Sequence, residues 1–243
     1  MKRLWIWFFI LLCLCVASAQ AQNYGEVVPS SDVVGLWHLN GDADDSAGSN
    51  NGSVTGAILT SFGKFEQAYE FDGDDYITIS DDTTLKPASV TFAIWFKLPT
   101  LGQNNLTYLM SKQRASAGTS YGAFIDEVGE TILVLQYIVG SQRTLEWDAS
   151  GFLTADIWYH LVGVIDPTVP AHVLYVNGVE RASASEIGAI VYNTDDLFIG
   201  SKKAASGMFT GIIDEVTIWD RALTSEAVKT LYAMQKGAYG VID

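Results

Sequence analysis

Cysteine, proline and positive charge are all scarce in this chain, and each shortage removes a class of protein. The two cysteines, Cys13 and Cys15, lie inside an apolar N-terminal stretch that reads as removable. Without it no thiol remains, which excludes disulfide staples, thiolate metal sites and a cysteine nucleophile from the mature protein. Basic residues number 14 against 28 acidic ones, a formal charge of -14. A protein that tracks nucleic-acid phosphates needs a basic stripe, so nucleic acid is excluded as a partner. Acidic substrates and anionic membranes are disfavoured as well, unless a cation bridges them. No apolar run reaches the roughly 20 residues of a membrane span, so no span is expected in the mature chain. No repeat of about 20 to 50 residues marks a propeller or solenoid. Apolar residues nevertheless make up 49% of the chain, which excludes disorder and supplies a sizeable core.

At the start, Lys2 and Arg3 precede the apolar run Leu4 to Val16, and Ala17-Ser18-Ala19 or Ala19-Gln20-Ala21 offers small residues at cleavage spacing. That order is a secretory signal peptide over residues 1–21, with cleavage expected after Ala19 or Ala21 and a secreted, extracellular or periplasmic product. Loss of Lys2 and Arg3 leaves 12 basic residues against 28 acidic ones, a charge of -16. Residues 22–31 read as an exposed lead-in, 32–235 as one domain, and 236–243 as a tail.

Within the domain the dominant signal is apolar alternation in short runs rich in β-branched and aromatic residues. About a dozen such runs occur: 33–39, 68–71, 76–79, 90–98, 106–111, 121–125, 132–139, 143–147, 158–165, 172–176, 197–199 and 212–219. Turn clusters separate them, and Asn177-Gly178 is the strongest hairpin signal because both residues tolerate positive φ. A single helix is expected from Ser225 to Gln235, capped by Thr224, with Val228, Leu231 and Tyr232 on one face. Many strands, almost no helix and no β-α alternation predict an all-β, antiparallel two-sheet sandwich with one short C-terminal helix.

Several segments together resemble a known family. They are Gly35-Leu36-Trp37-His38-Leu39, Asp45-Ser46-Ala47-Gly48, the hairpin from Tyr69 to Ile77, Trp158 to Val164, Leu174-Tyr175-Val176-Asn177-Gly178 and Phe209 to Leu223. In this order they look like a LamG-like jelly roll of the concanavalin A-like lectin and glucanase superfamily, over about Asp32 to Met234. The resemblance implies two curved sheets, and binding of glycan or protein more often than catalysis.

Catalysis has little support in the residues. Glycanases of the superfamily carry two or three carboxylates on one strand, about 5 Å apart in the retaining class. The nearest candidate, Glu146-Trp147-Asp148, puts two acids on one face and lacks the third. Asp126, Glu127 and Glu130 read as a solvated turn, and His38, His160 and His172 as core or edge histidines. The protein is therefore expected not to be an enzyme.

Metal binding is the stronger expectation. The loops Asp42-Ala43-Asp44-Asp45 and Asp72-Gly73-Asp74-Asp75, with Asn50 and Asn51, supply hard oxygen donors suited to calcium. Strand alternation places Asp214 on the face of Val216 and Ile218, where a carboxylate needs a partner. The superfamily often holds one calcium where the first and last strands meet. Carried onto this chain, that implies Asp214, then Asp45, then Asp72 as calcium ligands. The other reading is that Asp214 caps backbone amides or pairs with Arg221.

For the ligand, sugar sites combine aromatic platforms with amide and carboxylate hydrogen bonds. Trp37, Trp95, Trp158 and Trp219 fall where a sandwich buries its aromatics. Trp147 ends a strand before Ser150-Gly151, so it is the expected stacking platform. Arg143 and Glu146 are its expected polar neighbours, and Tyr121 and Tyr137 lie on adjoining strands. The function expected is a secreted, non-catalytic carbohydrate-binding module recognising a glycan or glycosylated surface. The alternatives are a protein-protein adhesion or matrix module and, less supported, a glycan-cleaving enzyme. An exposed aromatic row would favour sugar, and a polar face with an apolar edge strand would favour protein.

Overall fold

The computed structural model describes residues 30–102, 105–114, 118–128, 131–139, 141–168, 171–186, 188–204 and 206–237. The signal peptide, nearly all of the lead-in, most of the tail and Glu130 lie outside them.

Two antiparallel sheets form a sandwich. One contains β1 (Val33–Trp37), β3 (Ile58–Thr60), β4 (Ala68–Asp72), β6 (Val90–Lys97), β11 (Trp158–Asp166), β12 (Ala171–Val176), β13 (Val179–Ala184) and β15 (Thr210–Trp219). Its order is β13-β12-β11-β6-β15-β4-β3, and β1 pairs with the far half of β15. The other contains β2 (Gly52–Thr55), β5 (Tyr76–Ile79), β7 (Leu106–Arg114), β8 (Gly118–Asp126), β9 (Ile132–Val139), β10 (Ser141–Asp148) and β14 (Leu197–Ile199). It runs β10-β9-β8-β7-β14-β5-β2. The expected sandwich is therefore present, with β2, β3 and β13 in addition to the runs read from sequence.

Alternation decides which residues meet between the sheets. Phe92, Ile94 and Phe96 of β6 face Leu133, Leu135 and Tyr137 of β9 in one buried cluster, with Trp37, Tyr121, Val216 and Ile218 in the same core. Gly163 of β11 is pressed between Phe92 of its own sheet and Leu135 of the other. A Cβ there would lie 2.5 Å from Phe92 and 2.7 Å from Leu135, so only glycine fits without displacing core side chains. Asn177 and Gly178 turn β12 into β13 with φ of 53° and 72°, as the hairpin signal requires.

The helix, α1 (Ser225–Gly237), starts where the Thr224 hydroxyl accepts the Ala227 N–H at 3.2 Å. Its Ala227, Val228 and Leu231 pack on Ala93, Val162, Val164 and Trp219, closing the outer face of the eight-stranded sheet. Each fully buried Val or Leu contributes on the order of 1.5–3 kcal/mol. Among the described residues no helix covers the outer face of the seven-stranded sheet. That face keeps only a small apolar cluster of Tyr108, Phe124 and Val134, flanked by Ile132.

Candidate functional site

The carboxylates expected to hold calcium are occupied in another way. Asp214 is fully buried, and its Oδ2 accepts the backbone N–H groups of Lys64 (2.7 Å) and Phe65 (2.9 Å) while Oδ1 accepts that of Glu215 (2.9 Å). Nor does it share a face with Val216. Glu215, at φ 50°, is the extra residue of a bulge that breaks the alternation, and Asp214 stands opposite Trp95, whose ring packs toward α1. Burial pushes its carboxyl up to about 7 against the pull of the Phe65 amide. Asp45 is likewise a cap, accepting from Leu36 and Ala47 at Oδ1 and from Asn50 at Oδ2. The N–H groups aimed at these carboxylates occupy lone pairs that a cation would need, and neither Asp214 nor Asp45 belongs to a converging cluster of three acids among the described residues. Among the described residues the acids whose oxygens converge within 4.8 Å are Asp72, Asp74 and Asp75. Of the three expected ligands only Asp72 belongs to that group.

The expected sugar-binding trio is split between two faces. Trp147 pairs with Leu133 and Arg143 with Tyr137, both core residues, whereas Glu146 pairs with the outward-facing Val134. Trp147 is half-buried against the core and is not a free platform. Phe152 meets it edge-on at 5.1 Å, and the Arg181 guanidinium lies 4.6 Å from both ring centroids. Arg143 reaches Glu186 instead of Glu146, at 3.0 Å, and Glu186 also accepts the Tyr137 hydroxyl at 2.5 Å. Tyr121 and Tyr137 point into the core.

Glu146 does lie on an open surface. The register aligns it with Val134, Phe124 and Tyr108 across four strands, and the next row is Thr144, Gln136, Gly122 and Ser111. Tyr108 and Phe124 pack at 4.7 Å, and the Tyr108 hydroxyl donates to the Gln136 amide oxygen at 3.0 Å. Both rings are nearly covered, at 2% and 5% exposure, so they form a floor and not a stacking row. Thr144, Glu146 and Asp148 stand exposed on β10, with Ile132 and Gln136 half-buried beside them. Sequence reading missed Tyr108, Phe124 and Gln136. Phe124 was legible, since it alternates with the core residues Ala123 and Ile125. Tyr108 was not, because β7 bulges beside it.

Glu146 and Asp148 share this face as expected. The Ser150 side chain and amide hold the Asp148 carboxyl below its usual range, the reverse of what a proton-donating catalyst requires. Glu127 departs from the solvated turn expected of it: it is buried and accepts the Gly102 N–H at 3.0 Å. His160 and His172 are fully buried, while His38 sits at the sheet margin, 2.8 Å from Glu215. Trp37, Trp95 and Trp219 are buried, and Trp158 is half-buried beneath Lys97.

Two sheets in jelly-roll order, a helix closing one outer face and an open polar surface on the other define a lectin-like sandwich. The chain belongs to the concanavalin A-like lectin/glucanases superfamily, whose Laminin_G_3 profile matches residues 71–229. Among solved structures it is similar to domain 4 of AbnA, an extracellular GH43 arabinanase from Geobacillus stearothermophilus, in complex with arabinotriose. That similarity has 20% identity and a TM-score of 0.61, covering 83% of this chain and 98% of that one. It is also similar to the binding domain of Paraclostridial Mosquitocidal Protein 1 (17% identity, TM-score 0.67, covering 84% of this chain and 52% of that one). A third is the ligand binding domain of botulinum neurotoxin serotype D in complex with N-acetylneuraminic acid (15%, 0.67, 85% and 52%). The chain spans about half the length of these last two. At such identities the likeness is one of fold. No helix among the described residues is long and apolar enough to cross a membrane.

Proposed function

We propose that the protein is an exported, non-catalytic carbohydrate-binding module that recognises glycans on the outer face of its seven-stranded sheet. The observation that carries this reading is the surface built by Thr144, Gln136, Glu146 and Asp148 over the Tyr108–Phe124 floor. Amide, hydroxyl and carboxylate groups stand there over a covered apolar floor that holds their strands in place, and these are the groups that sugar hydroxyls require. The arabinotriose and N-acetylneuraminic acid held by two structural neighbours support it. So does the lack of a raised carboxyl pKa at Asp148. Of the expected trio, Glu146 contacts ligand directly, and Trp147 and Arg143 border the site from the strand edge. Calcium belongs, in this reading, to the Asp72–Asp75 hairpin alone, where a cation would take the place of the hydrogen bond with Asp72 and the repulsion from Asp72 and Asp75 that together raise the Asp74 pKa. The test is a glycan array probed with the mature chain, with and without chelator, beside a reducing-sugar assay on the polysaccharides it binds. Binding without release of reducing ends is expected, and release would make the protein an enzyme.

One observation favours the second reading, a protein partner. The edge strand β3 exposes Ile58 (69%) and, just beyond it, Phe62 (71%), and an apolar sheet edge invites strand addition. Loss of partner capture in Phe62→Ser, with glycan binding intact, would favour it.

A further inference from the structure

The glycan-binding reading leaves one cation unexplained. Arg181 is the extra residue of a bulge in β13, where the pairing shifts between Leu174 and Tyr175. From that bulge it crosses to the opposite sheet and lies against Trp147 and Phe152, 4.6 Å from each ring centroid. Two aromatic contacts fix the guanidinium plane before any ligand arrives. In a chain with twice as many acids as bases, it has no acidic partner among the described residues, and its buried Nε–H has no acceptor. A buried donor left unmatched is uncommon; Nε is closed to solvent, so an incoming acceptor meets this half-buried side chain at its Nη groups. Arg143 and Glu186, at the same edge, neutralise each other. Arg181 is thus an unpaired positive charge, among the described residues, on a molecule that is strongly negative overall.

We propose that Arg181 is the acid-recognition point of the glycan site and takes a single carboxylate-bearing sugar, with the guanidinium held ready by Trp147 and Phe152. This rests on the glycan-binding reading and narrows it. One unpaired arginine can neutralise one carboxylate, and the surrounding negative field repels a chain that carries many. The ligand is therefore an oligosaccharide with one acidic residue and not a polyanion. Glu146 and Asp148, on the other face of β10, leave its neutral residues to the open surface.

The experiment uses the mature chain on an array of matched pairs: neutral galacto- and xylo-oligosaccharides, the same chains bearing one glucuronate, and heparin as the polyanion. Wild type should bind the glucuronated members about tenfold to a hundredfold more tightly than their neutral counterparts, the range of a charge-assisted hydrogen bond. Heparin should bind no better than the neutral chains. Arg181→Met, which keeps an apolar stem on the two rings, should abolish the preference without weakening binding of the neutral members. Arg181→Lys, which returns the charge without the fork, should restore part of it. Equal binding within the pairs, tight heparin binding, or a preference that survives in Arg181→Met overturns the inference and leaves the glycan reading standing. An array dark to every glycan overturns both. The wild-type comparison decides the matter even if Arg181→Met fails to fold.

Discussion

His160 provides a prediction in which the pH dependence of stability can be worked from one side chain. Its ring packs beside those of Trp95, 4.8 Å away, and Tyr232 of α1, 6.0 Å away, which also touch each other at 5.9 Å, on the face closed by the helix. It is fully buried, and neither ring nitrogen has a hydrogen-bond partner among the described residues. Burial, with a smaller contribution from the nearby Lys64 ammonium, pushes its pKa down from 6.5 to about 3. The unfolded chain therefore takes up a proton near pH 6.5 that the folded chain refuses until about pH 3, so the stability from this group is lost as pH falls between those values. From pH 8 to pH 5 the loss is about 2 kcal/mol. Asp214 acts in the opposite sense. With its folded pKa raised to about 7, the folded state binds the extra proton, and the same acidification stabilises by about 2–3 kcal/mol. In wild type the two oppose each other, as do His38, raised by its hydrogen bond to Glu215, and His172, lowered by burial, so the slope over this range should be shallower than either His160 or Asp214 alone would give. His160→Phe keeps a ring in the stack and removes the titration. Its melting temperature should therefore rise relative to wild type between pH 8 and pH 5, by about 4–8 °C for a domain of this size. Parallel pH profiles for the two proteins would refute the account of the buried imidazole.

Asp214→Ala strands three backbone N–H groups and should cost at least about 2 kcal/mol, equally in calcium and in chelator; a cost that vanishes on chelation would restore Asp214 as a metal ligand. Trp147→Ala, read by calorimetry, should destabilise by about 1–3 kcal/mol, less than a fully buried Trp because the ring is half-exposed; an unchanged melt would return Trp147 to the role of a free platform. If the Asp72–Asp75 hairpin binds calcium, chelation should lower the wild-type melt and Asp74→Asn should remove the difference; identical melts with and without the ion would remove calcium from this protein.

The sandwich was legible because its central strands alternate cleanly and its best hairpin carries Asn177-Gly178. The strands not read, β2, β3 and β13, are short or polar edge segments such as Gly52–Thr55, where no buried face imposes a pattern. The site was harder for two physical reasons. Trp147 drew attention by ending a strand, yet it shares parity with the buried Leu145, and that parity sends the indole toward the core. Asp214 reads as core-facing when the alternation is carried back through Glu215, whose left-handed backbone inserts a bulge that no periodicity reveals. Arg181 gave no signal at all, since its partners Trp147 and Phe152 come from the opposite sheet's edge strand and the turn that follows it.

The central claim is that glycan is bound on the outer face of the seven-stranded sheet, and amide chemical-shift mapping with a glycan selected from the array tests it most directly. The account predicts perturbed amides clustered at Phe124, Gln136, Thr144 and Glu146, with Glu146→Ala weakening binding about tenfold at an unchanged melting temperature. Perturbations centred on the β3 edge or under α1, with Glu146→Ala binding as wild type does, would contradict it.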